Sequence, residues 1–237
     1  MDATRNPLVL DWTGRAPRIL VLGDVMLDRA LIGSCERISP EAPVQVVDVR
    51  ESRRQLGGAG NVVRNCLALG AEASLVSVIG ADAAAAEVRA LLTDCGAGDQ
   101  AVLTEADRQT TEKTRVFAAH QQVVRLDTEV RTAITWESED RLLDCLQAAD
   151  EIDALIISDY AKGVVTERLC RAAIAWARSR GLPAFCGPKG RDFTKYSGAS
   201  VLTPNRREAA EAVGYPLSDA ARIERAGRQL RETLALD

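Results

Sequence analysis

The chain has 237 residues, a length that suits one large α/β domain or two small ones. Its hydrophobic fraction of 46%, charged fraction of 27% and aromatic fraction of 4% predict a soluble globular protein with a mainly aliphatic core. The net charge of -4 argues against a nucleic-acid binder that relies on bulk electrostatics, and no apolar run reaches the ~18 residues of a membrane span.

Cysteine and histidine usage excludes further classes of site. The six cysteines include no CxxC pair, which is typical of a reduced cytosolic protein. The single histidine, His120, excludes a histidine-rich metal site and argues against a Ser-His-Asp triad. The N-terminal residues lack the apolar run of a signal peptide, so we expect a cytoplasmic protein.

Short apolar runs predict the strands of a buried parallel sheet. Three runs are clear, at residues 18–22, 74–79 and 154–158, and two shorter runs lie at residues 184–186 and 200–202. Residues 43–49 alternate in part, as a half-covered strand does. Residues 110–118 and 122–127 indicate two more strands around a short turn.

Helical periodicity and capping residues separate these strands. The segment Gly57-Gly58-Ala59-Gly60-Asn61 opens a helix that runs to about Leu69, and Asp82 can cap a helix at residues 83–93. Further helices are predicted at residues 137–149, 166–180, 206–213 and 218–234. Helices that alternate with short apolar strands predict an α/β fold with a mostly parallel sheet.

Polar residues follow several of the predicted strands, and ligands of such folds bind at the carboxyl ends of the strands. Asp28 comes shortly after the first strand, residues 159–163 follow the third, Lys189 follows the next, and residues 205–208 follow the last. Carboxylates can accept hydrogen bonds from sugar hydroxyls, whereas lysines and helix N-termini suit phosphates. One such loop is unremarkable by itself, but several loops at one edge favour a binding site.

The glycine-rich segment at residues 57–61 is the strongest local signal. Glycines at a helix start let the backbone approach a ligand closely and leave N–H groups free to bind it. The segment is not a Walker A loop, because the G-K-[ST] ending is absent, and its spacing does not match a dinucleotide fingerprint. A plain glycine-rich helix start is the alternative interpretation.

The sequence resembles the ribokinase-like (PfkB) carbohydrate kinase family over its whole length. Residues 57–80, GGAGNVVRNCLALGAEASLVSVIG, are similar to that family's first signature, although Val63 stands where the family usually has a small residue. Four strings resemble the heptose 7-phosphate kinases within the family: GDVMLDR (residues 23–29), RISPEAPV (37–44), SDYAKG (158–163) and PKG-DF (188–193). The resemblance implies a three-layer α/β/α sandwich over residues 1–237, with a mostly parallel central sheet and a small β-lid formed by residues 30–50 and 108–127.

The resemblance also implies a role for each matching residue. The residues expected to bind the sugar and its phosphate are Asp28, Gly57, Gly58, Asn61, Lys113, Asp159 and Lys162, with Lys113 or Lys162 at the phosphate. The residues expected near ATP are Lys189, Asn205, Arg206, Arg207 and Glu208, with Glu208 also near Mg²⁺. The lid would cover the sugar and pair two copies of the chain into a homodimer.

Two departures from the family pattern concern catalysis. Gly187 stands where this group usually has the Asp of a D-P-K-G motif, which removes a carboxylate from the active edge. The family's second signature, D-T-x-G-A-G-D, carries the catalytic base and lies downstream of the N-x-x-E element, and the 237 residues stop before it. We therefore expect no catalytic base in this chain, and we expect it to bind sugar phosphate while catalysing poorly or not at all.

A second copy of the same letters occurs at Gly96-Ala97-Gly98-Asp99. It follows a predicted helix instead of opening one, whereas an anion hole needs its glycines at a helix N-terminus. We therefore interpret Asp99 as a decoy.

The implied reaction is the ATP-dependent phosphorylation of the anomeric C1 hydroxyl of D-glycero-D-manno-heptose 7-phosphate. The product would be a heptose 1,7-bisphosphate, a precursor on the route to the lipopolysaccharide inner core. A kinase for fructose, ribose or a nucleoside is one alternative, against which the strings RISPEAPV and SDYAKG weigh. A non-catalytic sugar-phosphate-binding remnant of a kinase is another, and Gly187 favours it.

Overall fold

A computed structural model describes residues 14–119 and 121–237. The N-terminal residues, on which the expectation about a signal peptide rests, and His120 in the predicted turn lie outside the described residues. Among the described residues, no helix is both long and apolar enough to cross a membrane.

The central sheet has six strands in the order β10-β9-β8-β1-β4-β5, and every neighbouring pair is parallel. Its strands are β1 (Arg18–Gly23), β4 (Glu72–Ile79), β5 (Val102–Thr104), β8 (Ala154–Ser158), β9 (Ala184–Gly187) and β10 (Val201–Leu202). The apolar runs in the sequence correctly predict five of these strands. The sixth, β5, was missed, because three residues carry too short a pattern to distinguish a strand from a loop.

Helices cover both faces of this sheet and form the expected sandwich. They are α1 (Ala59–Ala68), α2 (Ala83–Asp94), α3 (Trp136–Ala148), α4 (Glu167–Ser179), α5 (Arg206–Val213) and α6 (Ala220–Thr233). One buried cluster joins the sheet to α3 and α4 through residues such as Leu142 and Leu169. A second joins the other face to α1 and α2 through residues such as Val63 and Val88. The predicted α/β sandwich is therefore confirmed.

A second sheet of four strands, in the order β3-β2-β6-β7, stands on the first. Its strands are β2 (Val25–Ile38), β3 (Gln45–Gly58), β6 (Glu112–Ala118) and β7 (Gln121–Thr128). We call this sheet the lid. Its strands overlap the residues 30–50 and 108–127 expected for a lid, but β2 and β3 form one long antiparallel hairpin that extends beyond those bounds to the Val25–Gly58 pair. The hairpin therefore connects the end of β1 directly to the start of α1.

Candidate active site

The carboxyl ends of the parallel strands meet at one edge of the central sheet, as the sequence predicts. Backbone hydrogen bonds hold the residues that follow these strands side by side. The N–H of Asp24 donates to the carbonyl of Ser158 at 3.1 Å, and the N–H of Asp159 donates to that of Gly187 at 3.2 Å. The loops after β1, β8 and β9 therefore form a continuous edge on which a ligand could lie.

Asp24 organises this edge, although no local sequence pattern distinguishes it from other acids that follow a strand. Its carboxylate is buried and accepts hydrogen bonds from the N–H groups of Tyr160 at 2.7 Å, Lys162 at 3.1 Å and Val164 at 3.0 Å. Its carbonyl accepts the N–H of Ala59, the first residue of α1, at 2.9 Å. Burial raises the pKa of this carboxyl, while the three backbone hydrogen bonds act in the opposite direction. Asp24 thus fixes the loop after β8 and the start of α1 against each other.

The start of α1 keeps its backbone open toward this edge. Gly58 is the N-cap residue with φ 56 and ψ -131, and no side chain in the described part of the chain caps the helix. A Cβ on Gly58 would lie 2.2 Å from the carbonyl oxygen of Asp24, so the close approach requires glycine. Asn61 lies in the first turn, where its side-chain oxygen accepts a hydrogen bond from Arg64 at 3.2 Å. Amide groups at such a helix start can bind a hydroxyl or an anion.

Asp28 lies next to this helix start, at the base of the lid. A Cβ on Gly57 would lie only 2.4 Å from its Oδ2 atom. Its Oδ1 atom accepts a hydrogen bond from Arg115 at 2.7 Å. Lys113 is its cross-strand neighbour on β6. The structure therefore brings Asp28, Gly57 and Lys113 together where the lid joins the central sheet.

Asp159 takes part in a buried network instead of facing an open surface. Its side chain is 1% exposed, and its Oδ2 atom contacts the hydroxyl of Tyr196 at 2.6 Å and the ammonium of Lys195 at 2.5 Å. Its Oδ1 atom accepts the N–H of Ala161 at 2.7 Å. Burial, together with the neighbouring Asp159 charge, raises the pKa of the Tyr196 hydroxyl. Direct contact between Asp159 and a sugar stays a prediction, and this geometry favours a positioning role.

Lys162 is engaged in a similar way. Its ammonium group lies 2.5 Å from a carboxylate oxygen of Glu129, and its side chain is 11% exposed. Hydrogen bonds from Lys162 and then from Arg131 lower the pKa of Glu129 to about 2. The assignment of Lys162 to a substrate phosphate stays a prediction, since that contact would have to replace the ion pair with Glu129.

The residues expected near the nucleotide separate into two groups. Asn205 caps α5, and Glu208 completes a capping box by accepting the N–H of Asn205 at 3.0 Å. The other oxygen of Glu208 accepts a hydrogen bond from Lys189 at 2.8 Å, so these three residues lie together. Burial alone would raise the pKa of Glu208, but the contacts with Lys189 and Asn205 lower it overall.

The side chains of the other two residues expected near the nucleotide, Arg206 and Arg207, do not form hydrogen bonds with Lys189 or Glu208. Arg206 donates to the carbonyl of Leu217, and Arg207 donates to Glu211 one turn further along α5. Their assignment to the nucleotide stays a prediction that this arrangement does not support.

A carbohydrate kinase family accounts for this combination of sheet, lid and glycine-rich helix start. The family model described as pfkB family carbohydrate kinase matches residues 16–236. The chain belongs to this family.

Within this family, the chain is similar to bifunctional HldE proteins. The chain is 47% identical over 221 residues to the bifunctional protein HldE of Citrifermentans bemidjiense, and 46% identical over 221 residues to that of Rhodospirillum rubrum. Each alignment covers 93% of this chain and 45% of the relative. The chain therefore spans about half the length of the curated relatives it matches.

Solved structures share the fold at low identity. The tetrameric inhibited form of phosphofructokinase-2 from Escherichia coli has a TM-score of 0.71 at 19% identity, covering 93% of this chain and 71% of that chain. Ribokinase from Arabidopsis thaliana, complexed with ribose and ATP, has a TM-score of 0.65 at 14% identity, covering 92% and 69%. These likenesses establish the ribokinase-like fold.

The residues present do not by themselves form a metal site. Within residues 14–119 and 121–237, no group of three His, Cys, Asp or Glu side chains is placed to hold a metal ion. Both oxygens of Glu208 already accept hydrogen bonds, from Lys189 and from the backbone of Asn205. Since Mg²⁺ prefers several oxygen ligands and often obtains them from phosphates and water, Glu208 alone does not fit a resident magnesium ion.

The Gly96–Asp99 segment lies far from this edge. Gly96 follows the C-terminus of α2 with φ 80, and Asp99 precedes β5 at the amino edge of the sheet. The Asp99 carboxylate accepts a hydrogen bond from Arg89 at 2.8 Å. No helix starts at Asp99, and its interpretation as a decoy stays a prediction.

Proposed function

We propose that this chain is the sugar-binding part of an ATP-dependent kinase that phosphorylates the C1 hydroxyl of D-glycero-D-manno-heptose 7-phosphate. The product would be heptose 1,7-bisphosphate, which feeds the synthesis of ADP-heptose and the lipopolysaccharide core. The main structural support is the meeting of Asp28, Gly57 and the open start of α1 beneath the lid. The choice of a heptose rests on the strings GDVMLDR, RISPEAPV, SDYAKG and PKG-DF.

The sugar would lie between the lid and the carboxyl edge of the central sheet. Asp28 would accept hydrogen bonds from sugar hydroxyls, and the amides after Gly58 together with the side chain of Asn61 would hold the ring. Asp159 would act mainly by keeping the loop after β8 in place. Binding between the lid and the carboxyl edge would orient the C1 hydroxyl and exclude water. These are the main contributions of a protein to phosphoryl transfer.

ATP would lie toward β9 and β10, near Lys189 and the N-terminus of α5. The side chain of Lys189 is 45% exposed, so its ammonium group can exchange the carboxylate of Glu208 for a phosphate oxygen. Mg²⁺ would arrive with the nucleotide, with Glu208 as one ligand at most. The absence of a carboxylate at Gly187 favours weak nucleotide handling, which keeps a sugar-phosphate-binding remnant as a second candidate.

We also propose that the chain forms a homodimer and that it works in the cytoplasm. The lid exposes several apolar side chains, namely Ile38, Val49, Val123, Val124 and Leu126. Burial of such a surface against a second copy would support a homodimer. The six cysteines are all free thiols, as expected in the cytoplasm.

Calorimetric titration of the chain with D-glycero-D-manno-heptose 7-phosphate tests the proposal. The proposal concerns the sugar site, so the test measures binding instead of turnover. We expect saturable binding that fructose 6-phosphate and ribose do not match. Preferential binding of either control sugar would move the assignment to another kinase of the family. No binding by a chain that circular dichroism shows to be folded would reject the sugar site.

A further inference from the structure

One face of the lid carries two arginines in one row, Arg53 and the Arg115 that contacts Asp28. Alternate residues of a strand share a face, so cross-strand pairs show which side chains are neighbours. The register pairs Ala30 of β2 with Arg53 of β3 on one side and with Arg115 of β6 on the other. Asp28 lies on the same face, one step closer to the central sheet. Arg53 and Arg115 therefore flank a small alanine in the row above Asp28.

The small Ala30 side chain leaves a recess between the two arginines. Two inter-strand spacings place the backbones of Arg53 and Arg115 about 9.5 Å apart, with only a methyl group between them. A pocket of about 330 Å³ opens here, and its lining includes Asp28, Ala30, Gln55 and both arginines. Two long guanidinium groups over such a recess can converge on one tetrahedral anion.

Both guanidinium groups have donors to spare. Arg53 donates to Glu51 on its own strand, and both side chains of this pair are about half exposed or more, at 68% and 48%. Arg115 uses one nitrogen to reach Asp28. Exposed ion pairs are worth little, and a guanidinium offers five N–H donors. A dianionic phosphate can therefore enter the recess without leaving a buried charge unpaired.

The row formed by Arg53, Ala30 and Arg115 lies where one end of a sugar would be if its other end contacted Asp28. Ala30 lies two residues beyond Asp28 along β2, a distance of about 7 Å in an extended strand. This separation is comparable to the width of a sugar ring. Lys162, which the resemblance also offers for a substrate phosphate, is less available, because its ammonium group contacts Glu129 at 2.5 Å.

We propose that Arg53 and Arg115 bind the phosphate group that the acceptor sugar carries into the reaction. The inference rests on the proposed function and deepens it, since it assigns this site to sugar phosphomonoesters over unphosphorylated sugars. Bidentate hydrogen bonding from two arginines gives both affinity and orientation for a phosphate. The row lies on the lid, away from Lys189 and α5, so it does not serve the phosphates of ATP.

The substitution Arg53→Gln tests this site without touching Asp28. We expect the affinity of the full chain for D-glycero-D-manno-heptose 7-phosphate to fall about tenfold or more, because a charge-assisted hydrogen bond is lost. Binding of the unphosphorylated heptose, measured by ligand-observed NMR, should be the same in variant and wild type. Arg53→Lys should recover part of the affinity, since it restores the charge without the fork.

A matched control is Arg228→Gln, which removes an equally exposed arginine from its ion pair with Glu224 on α6 and should leave both affinities unchanged. Equal losses for the phosphorylated and unphosphorylated sugar in Arg53→Gln would overturn the phosphate site, as would unchanged affinity for the phosphorylated sugar. Failure of the wild-type chain to bind heptose 7-phosphate at all would instead overturn the proposed function, and this inference with it.

Discussion

Asp24 lies where β1 leaves the central sheet, and its carboxylate joins two parts of the candidate site. It holds the loop after β8 through three backbone N–H groups, and its carbonyl holds the first residue of α1. Burial of this charge raises the pKa of the carboxyl, and the three backbone hydrogen bonds offset only part of that cost. The sequence shows only an Asp after a strand, because its partners lie about 140 residues further along the chain, as the separation of 140 to Val164 illustrates.

We expect Asp24→Ala to lower the free energy of unfolding by about 3 kcal/mol, because three backbone amides, two of them buried, lose their acceptor. Urea unfolding measures this change. Asp48→Ala is the control, since Asp48 lies on the lid in an exposed pair with Arg37 and should change stability by less than about 0.5 kcal/mol. Equal effects of the two substitutions would contradict the role of Asp24.

The ion pair between Glu129 and Lys162 makes a second prediction at the residue scale. Because the pKa of Glu129 falls from 4.5 to about 2 in the folded chain, the pair stabilises the fold above pH 4.5 and loses its effect as the pH falls through about 2. At neutral pH, Glu129→Gln should lower the free energy of unfolding by about 2 kcal/mol.

The pH dependence of that difference is the informative measurement. The gap between wild type and Glu129→Gln in urea unfolding should shrink steadily from pH 4.5 toward pH 2. Glu41→Gln, in an exposed turn, should stay level with wild type over the same range. A gap that is constant across this range would show that the ion pair does not stabilise the folded chain.

At the scale of elements, the junction between β3 and α1 depends on Gly58. An alanine there would hold a backbone conformation that side chains rarely adopt, and its Cβ would meet the Asp24 carbonyl at 2.2 Å. We expect Gly58→Ala to destabilise the fold by about 2 kcal/mol and to weaken sugar binding. Thermal unfolding and calorimetry measure the two effects.

Gly227 in α6 is a matched control for this substitution. It is exposed and helical, and a Cβ there would meet no atom within 4 Å. Gly227→Ala should therefore stabilise the helix by about 0.5–1 kcal/mol and leave sugar binding unchanged. Stabilisation by both alanines would mean that the start of α1 is not constrained as described.

Elements with a strong hydrophobic pattern could be predicted from the sequence, and those without one could not. Continuous apolar runs correctly indicate β1, β4 and β8, because these strands are buried on both faces. The second half of β3, ESRRQL, was missed because most of its side chains are polar and exposed to solvent. Arg54, one of them, forms an ion pair with Glu87 on α2. Hairpin pairing with β2 forms this strand, and no apolar alternation records it.

The candidate site was predicted in part for a similar reason. Asp28, Gly57 and Asn61 lie in strings that resemble known motifs; the structure places Asp28 against Gly57, and Asn61 in the first turn of α1. The contact of Asp159 with Tyr196 joins residues 37 positions apart, and no local spacing announces it. The arginine recess depends on cross-strand register, which a sequence shows only after the strands are paired.

At the scale of the whole molecule, the central claim is that the sugar binds where the lid meets the carboxyl edge of the central sheet. Two buried clusters hold this arrangement from both faces of the sheet, and the second includes Val25 and Leu56 at the base of the lid. The lid and the sandwich therefore share one core at this junction. Ligand binding should stabilise both parts together.

Hydrogen–deuterium exchange of the chain with and without D-glycero-D-manno-heptose 7-phosphate tests this claim most directly. We expect added protection at residues 57–61, in β2 and β6 near Asp28 and Arg115, and in the loop at residues 159–163. Helix α6, which packs against α5, should exchange at an unchanged rate. Protection confined to α5 and α6, or none at saturating ligand, would contradict the account.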